Sequence, residues 1–178
     1  MLIISDTTPI ISLMKVGQLD LLKNMFGSVV IPKAVYDELT VNINFEKEIN
    51  SFIKCTFVKV ETVENESYVN TLRNDTGLDA GESEAIVMVK EKQADLLLMD
   101  ERKGRQVAKK MGIRITGTIG ILLQAFDESF LTKEDVEQCL MLLKESNIRI
   151  SENLCNKVYE HIEKINAEIT AARVQRKR

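Results

Sequence analysis

With 178 residues, 44% of them hydrophobic and 29% charged, the chain can bury the core of one ordinary domain, or of one domain with a helical appendage. Its net charge of −3 excludes a binder that grips nucleic acid through bulk positive charge. No apolar run approaches the roughly 20 residues of a membrane helix, Met1–Ile4 lacks the basic segment of a secretory leader, and three cysteines without C-x-x-C spacing fit free thiols, so a cytoplasmic protein with no membrane partner is expected.

In chain order, Leu2-Ile3-Ile4 is a continuously apolar run of the kind found in strands buried on both faces. It runs into Asp6, Thr7, Thr8 and Pro9; the proline suits a first helical position with Thr7 or Thr8 as N-cap. Helices are predicted from Ile10 to Met14 and from Leu19 to Phe26, stopped by Gly17 and Gly27. Ser28–Ile31 is the next strand, ended by Pro32, and Lys33–Thr40 the next helix, with Glu38 beside its buried stripe. Phe45–Lys54 reads as an amphipathic helix, Phe57–Val60 as a strand, and Glu64–Asn74 as a weakly periodic helix.

Asp75–Gly81 is a loop by its recurring Asp and Gly, and it feeds a helix from Glu82 to Lys92 with Ala85, Ile86 and Val89 inward. Asp95–Met99 is a strand closing on Asp100, which repeats the strand-then-aspartate pattern of the N-terminus. A helix over Arg102–Met111, a strand over Ile113–Thr116 and a helix over Ile121–Phe126 follow. Beyond Ser129 the strands stop. A capped helix from Thr132 to Lys144 and a longer one from Ser151 to about Arg173 remain, the latter with Leu154, Val158, Ile162, Ile165 and Ile169 at helical spacing. Arg173, Arg176, Lys177 and Arg178 make a basic tail, either a frayed end or a phosphate contact. Alternating apolar strands and helices argue for a parallel sheet covered on both faces.

Asp6 and Asp100 are the core of the functional reading. An aspartate that closes a strand is commonly a helix cap, but two on neighbouring strands repel unless a cation intervenes. Hard oxygen donors of this type suit Mg²⁺ or Mn²⁺. Glu38 adds an acid from a helix, and in Gly81-Glu82-Ser83-Glu84-Ala85 two more open one, where the helix dipole favours acids anyway. Arg102, Lys103 and Arg105 follow Asp100 within two turns and either face a groove or are solvated. Thr118, at another strand-to-helix turn, either lines the site or caps a helix. His161, the only histidine, reads as a solvated surface residue.

The run SDTTPIISLMKVGQLDLLKNMFGSVVIPKAVYDEL, followed by LDAGESEAI, LLLMDERKGR, VAKKMGI and GTIGILLQA, resembles the PIN (PilT N-terminal) nuclease superfamily, in its branch of small prokaryotic toxins of toxin–antitoxin pairs. The resemblance covers about residues 1–130. It implies a three-layer α/β/α PIN-like domain with a central parallel sheet over 1–130, and leaves 131–178 as a C-terminal helical extension. It further implies an acid cluster that binds Mg²⁺ or Mn²⁺ and hydrolyses RNA, with a small antitoxin as partner. By position, Asp6, Glu38, Glu84 and Asp100 match the family's acids, with Glu82 and Glu101 as alternates. Thr7 and Thr8 match its hydroxyl after the first aspartate, and with Arg102, Lys103, Arg105 and Thr118 they form the expected substrate contacts. The isoleucine stripe of the last helix leaves three readings, packing on the domain, docking a partner such as the antitoxin, or a dimer, and a homodimer is the expected one. The alternative is a PIN-like module that binds nucleic acid or protein without cutting.

Overall fold

The computed structural model describes the chain except residues 42–48, 50, 51, 147, 149 and 176–178, and describes side chains as far as residue 168. Two compact units divide it, Met1–Thr118 and Ile119–Arg178.

The first unit is built on five strands, β1 (Ile3–Ser5), β2 (Val29–Pro32), β3 (Val58–Glu61), β4 (Leu96–Leu98) and β5 (Ile115–Thr116). All pair in parallel, in the order β3-β2-β1-β4-β5. The chain builds outward from β1 through β2 to β3, then crosses to the other side for β4 and β5. Its direction of winding therefore reverses between β1 and β4, and such a switch point leaves a crevice at the carboxyl ends of those two strands.

Among the described residues, the helices around the sheet are α1 (Thr7–Lys15), α2 (Asp20–Phe26), α3 (Lys33–Val41), α4 (Glu66–Thr76), α5 (Ala80–Lys92) and α6 (Arg102–Lys110), which complete three α/β/α layers. The weakly periodic segment before the loop is thus a regular helix, held by its Asn65 cap: Asn65 Oδ1 accepts the Tyr68 N–H at 3.0 Å. Pro32 stays in β2 as its last paired residue, opposite Glu61. The helix expected over Phe45–Lys54 lies largely outside the described residues, although Ile49 and Phe52 are buried as its pattern requires.

α5 organises this unit, packing on β1, β2 and β4 and touching α3, α4 and α6. Gly81, Glu82, Ser83 and every residue from Ala85 to Val89 are buried. The inward face read from the sequence is therefore too narrow, because Val87 and Met88 are fully buried too.

The second unit holds most of α7 (Thr118–Asp127), with α8 (Lys133–Glu145) and α9 (Glu152–Gln175). Thr132 and Asp135 cap α8 reciprocally, each side chain bonding the other's backbone N–H, as the sequence indicated. Along α9, Cys155, Val158 and Ile162 are buried, whereas Leu154 is exposed, so the buried stripe begins one residue later than the spacing suggested. The side chains of Ile169 and of the basic tail fall outside the described residues. His161 is half-buried and lies 2.7 Å from Asp127 Oδ1, a contact with no signal in the sequence. Met141 is exposed, unlike the buried Met88 and Met99. Among the described residues, no helix is long and apolar enough to cross a membrane.

Candidate metal centre

β1 delivers Asp6 to the switch point. Ser5 pairs with Leu98, and the Asp6 N–H donates to Leu98 O at 2.9 Å, which locks the residue beside the end of β4. Its carboxylate is only 3% exposed. Burial pushes its pKa from 3.8 to about 7; the Thr7 N–H opposes the shift, and the charges of Asp79, Glu82 and Glu38 add to it. Asp6 thus carries its charge in an environment that resists it.

Glu38 reaches the same place from α3 and accepts the Thr7 hydroxyl at 2.7 Å. Gly81 lies against this pair: a Cβ there would meet Val35 Cγ2 closely, at 3.3 Å, and would be in ordinary contact with Glu38 Oε2 and Thr7 Oγ1. Glu82 comes next, on the first turn of α5. It forms a capping box with Asp79, in which Oε2 accepts the Asp79 N–H at 3.0 Å and Asp79 Oδ1 accepts the Glu82 N–H at 2.8 Å. That uses one carboxylate oxygen. The other, Oε1, has no hydrogen-bond partner in a residue only 6% exposed. Burial first, and then the charges of Asp79 and Glu101, raise the Glu82 pKa, against the Asp79 N–H and the Lys103 charge.

Glu84 does not join this group. Its Oε2 accepts the Ala34 N–H at 3.0 Å, satisfying an orphan donor at the start of α3. Two residues along a helix turn a side chain by about 200°, so Glu82 and Glu84 project to opposite sides of α5. Of the two acids on this helix, it is thus Glu82 whose charge acts on Asp6, whereas Glu84 is engaged with α3.

Asp100 follows β4 and is half-buried. Its Oδ1 accepts the Thr118 N–H at 2.8 Å and its Oδ2 the Thr118 hydroxyl at 2.5 Å, so the 3%-exposed Thr118 orients an acid and offers little surface to a substrate. Arg105 is likewise committed, donating to Met99 O at 2.7 Å, and Lys103 donates to Gly77 O at 2.8 Å. Thr7 is spent on Glu38. Of the substrate contacts expected from sequence, Thr8 and Arg102 are exposed and make no side-chain hydrogen bond among the described residues, whereas Thr7, Lys103, Arg105 and Thr118 are engaged within the protein. Glu101 is the exposed N-cap residue of α6.

Two glycines shape the site and were not singled out in the sequence. A Cβ on Gly117 would overlap Asp100 Oδ1 and stand 3.1 Å from the Arg105 guanidinium; one on Gly104 would overlap Met99 Sδ and stand 3.0 Å from Glu82 Oε1. The available signal was Gly104 inside a helix, where glycine is otherwise unfavourable. Gly117→Ala is expected to cost about 1–3 kcal/mol through overpacking and to displace Asp100. An unaltered melting temperature together with an unaltered response to Mn²⁺ would contradict this.

Among the described residues, no three of these side chains already surround a common point as ligands of one ion. The fit to a divalent cation lies in the donor set: a carboxylate held above its ordinary pKa by burial first and then by its anionic neighbours, and a buried carboxylate oxygen with no donor. Both are relieved by a hard cation.

A parallel α/β sheet with carboxylates gathered at its switch point puts an acidic cluster at the edge where open α/β sheets commonly bind ligands. A family model described as PIN domain matches residues 2–164, and the chain belongs to this family, whose fold is that of nucleases. The match extends past residue 130, where the motif resemblance ends, and takes in α8 and part of α9. No curated protein matches the sequence.

Proposed function

We propose that the protein is a metal-dependent endoribonuclease in which Asp6, Glu38, Glu82 and Asp100 hold Mg²⁺ or Mn²⁺. The observation that carries this reading is Asp6: a 3%-exposed carboxylate, its pKa raised to about 7, facing Glu38 and Glu82 at the sheet's switch point. A fold stabilised only for its own sake gains nothing from a carboxylate buried there beside other acids. A divalent cation bound there supplies Lewis acidity to a phosphodiester and acidifies an attacking water. The chain's own contribution is to orient the donors: Thr7 fixes Glu38, Asp79 fixes Glu82, and Thr118 fixes Asp100. Exposed Thr8 and Arg102 are the residues that can meet the phosphate backbone of RNA.

The test is a Mn²⁺ titration followed by incubation with a mixed RNA pool, with Asp6→Asn as control. Saturable binding and cleavage, both lost in the variant, are the expected result. If Mn²⁺ neither binds nor supports cleavage, the chain is a PIN-fold binding module instead. The toxin assignment rests on the motif resemblance; induced expression should arrest growth, and Asp6→Asn should not. The homodimer proposal rests on the apolar spacing of α9 in the sequence, although Val158 and Ile162 are buried within the single chain; light scattering of the full-length chain should give twice the 20.2 kDa of one protomer, and a single-protomer mass would overturn it.

A further inference from the structure

A second concavity lies on the same carboxyl edge as the acids. Pro32 pairs with Glu61, so the residues that follow, Lys33 and Thr62, emerge side by side beyond β2 and β3. Together with α4 and the first turns of α5 they line a cavity of about 270 Å³. β3 lies two strands from β1, which places this cavity about 10 Å along the edge from Asp6 at the usual strand spacing. The volume falls just below the range for sites that hold drug-sized ligands, which suits one planar ring system.

Val63 and Ala80 provide apolar wall, and Glu66, Asn70 and Glu84 bring polar side chains to it. Ionised carboxylates only accept hydrogen bonds, and an amide both donates and accepts. A ring that presents adjacent donors and an acceptor complements that set. Arg73 lines the same space and can hold a phosphate attached to the ring, whereas Lys33, which also lines it, is paired with Asp37. Lys103 and Arg105, the cations expected to grip the backbone, are already engaged by Gly77 O and Met99 O.

We propose that this cavity is a nucleobase subsite for single-stranded RNA, selecting guanine, whose N1–H and N2 amino group donate side by side while O6 accepts. The inference rests on the ribonuclease reading for its substrate, and it assigns to Glu66 the donors of the base, to Asn70 the acceptor, and to Arg73 the flanking phosphate. Glu84, which is tied to Ala34, shapes the wall.

The experiment uses full-length protein in EDTA, so that it does not depend on metal or cleavage. Guanosine, adenosine, cytidine and uridine monophosphates are titrated in turn, followed by fluorescein-labelled uridine pentamers with or without one guanosine. Tighter binding of the guanosine nucleotide and of the guanosine-containing pentamer is expected. Glu66→Gln and Asn70→Ala, both at exposed positions, should weaken that preference roughly tenfold, as loss of a hydrogen bond to a charged or amide group does, while leaving Mn²⁺ binding unchanged. Equal affinity for all four bases overturns the inference, as does a guanine preference that survives both variants. Binding of the mononucleotide without discrimination between the pentamers also overturns it, and marks an effector site for free nucleotides. Failure of the ribonuclease reading is seen separately, as absence of cleavage by wild type with Mn²⁺.

Discussion

Asp6→Asn is expected to make the metal-free protein more stable at pH 8 while removing its activity. In the folded chain the Asp6 pKa rises from 3.8 to about 7 through burial and the surrounding acids. Below pH 4 the carboxyl is neutral in both states and costs nothing. Between pH 4 and 7 the unfolded chain is ionised while the folded chain holds its proton, so the folded state binds more protons and stability falls as pH rises. Above pH 7 the loss is complete, with a ceiling of about 4 kcal/mol, taken at 1.36 kcal/mol per pKa unit. Asparagine does not titrate, so the variant's advantage should be absent near pH 4, grow through neutrality and level off near pH 8, where it corresponds to roughly 10 °C in melting temperature for a chain of this size. Thermal melts in EDTA across that range measure it directly. A gap independent of pH, or a variant less stable at pH 8, would show that Asp6 is not held charged against its surroundings. With saturating Mn²⁺ the order should reverse, because only wild type gains binding free energy from the ion.

The second expected result separates two glutamates that stand two positions apart. Glu82→Gln should lower ribonuclease activity about 10²–10³-fold, the usual loss when one preorganised electrostatic group is removed, and should abolish the Mn²⁺-induced rise in melting temperature. Its Oε2 hydrogen bond to the Asp79 N–H can be kept by the amide oxygen, so the fold should survive. Glu84→Gln should retain activity within a few-fold and keep the Mn²⁺ response. Glu84→Ala, which leaves the Ala34 N–H without its acceptor, should cost about 1–2 kcal/mol of stability. If Glu84→Gln loses metal response and Glu82→Gln does not, the site is wrongly drawn.

This pair also shows where the sequence stops being informative. Residue order cannot orient α5, because hydrophobic periodicity locates a helix's inner face only when another face is polar. Here Ala85, Ile86, Val87, Met88 and Val89 are all buried, so the pattern has no phase and Glu82 and Glu84 are equivalent until the helix is packed. The basic residues after Asp100 pose a similar problem. Arg105 and Lys103 look like phosphate ligands in a list of charges, but Met99 O and Gly77 O, distant in sequence or brought close by a turn, claim their protons. The loss of the Thr118 hydroxyl to Asp100 follows from β5 lying next to β4, which no local signal encodes.

What the sequence by itself determined is the alternation of apolar strands with helices, the PIN resemblance, and the aspartates that close β1 and β4. Those features are local: a strand buried on both faces must be apolar, and the residue after it sits at the carboxyl edge whatever surrounds it. Only the tertiary structure decided that β1 and β4 are neighbours at the switch point, that Glu82 and not Glu84 turns toward Asp6, and that Gly104 and Gly117 leave room for the carboxylates. Each of these depends on how elements far apart in the chain are rotated and packed against one another, and it is that packing which raises the Asp6 carboxylate from a strand-end cap to the centre of a candidate metal site.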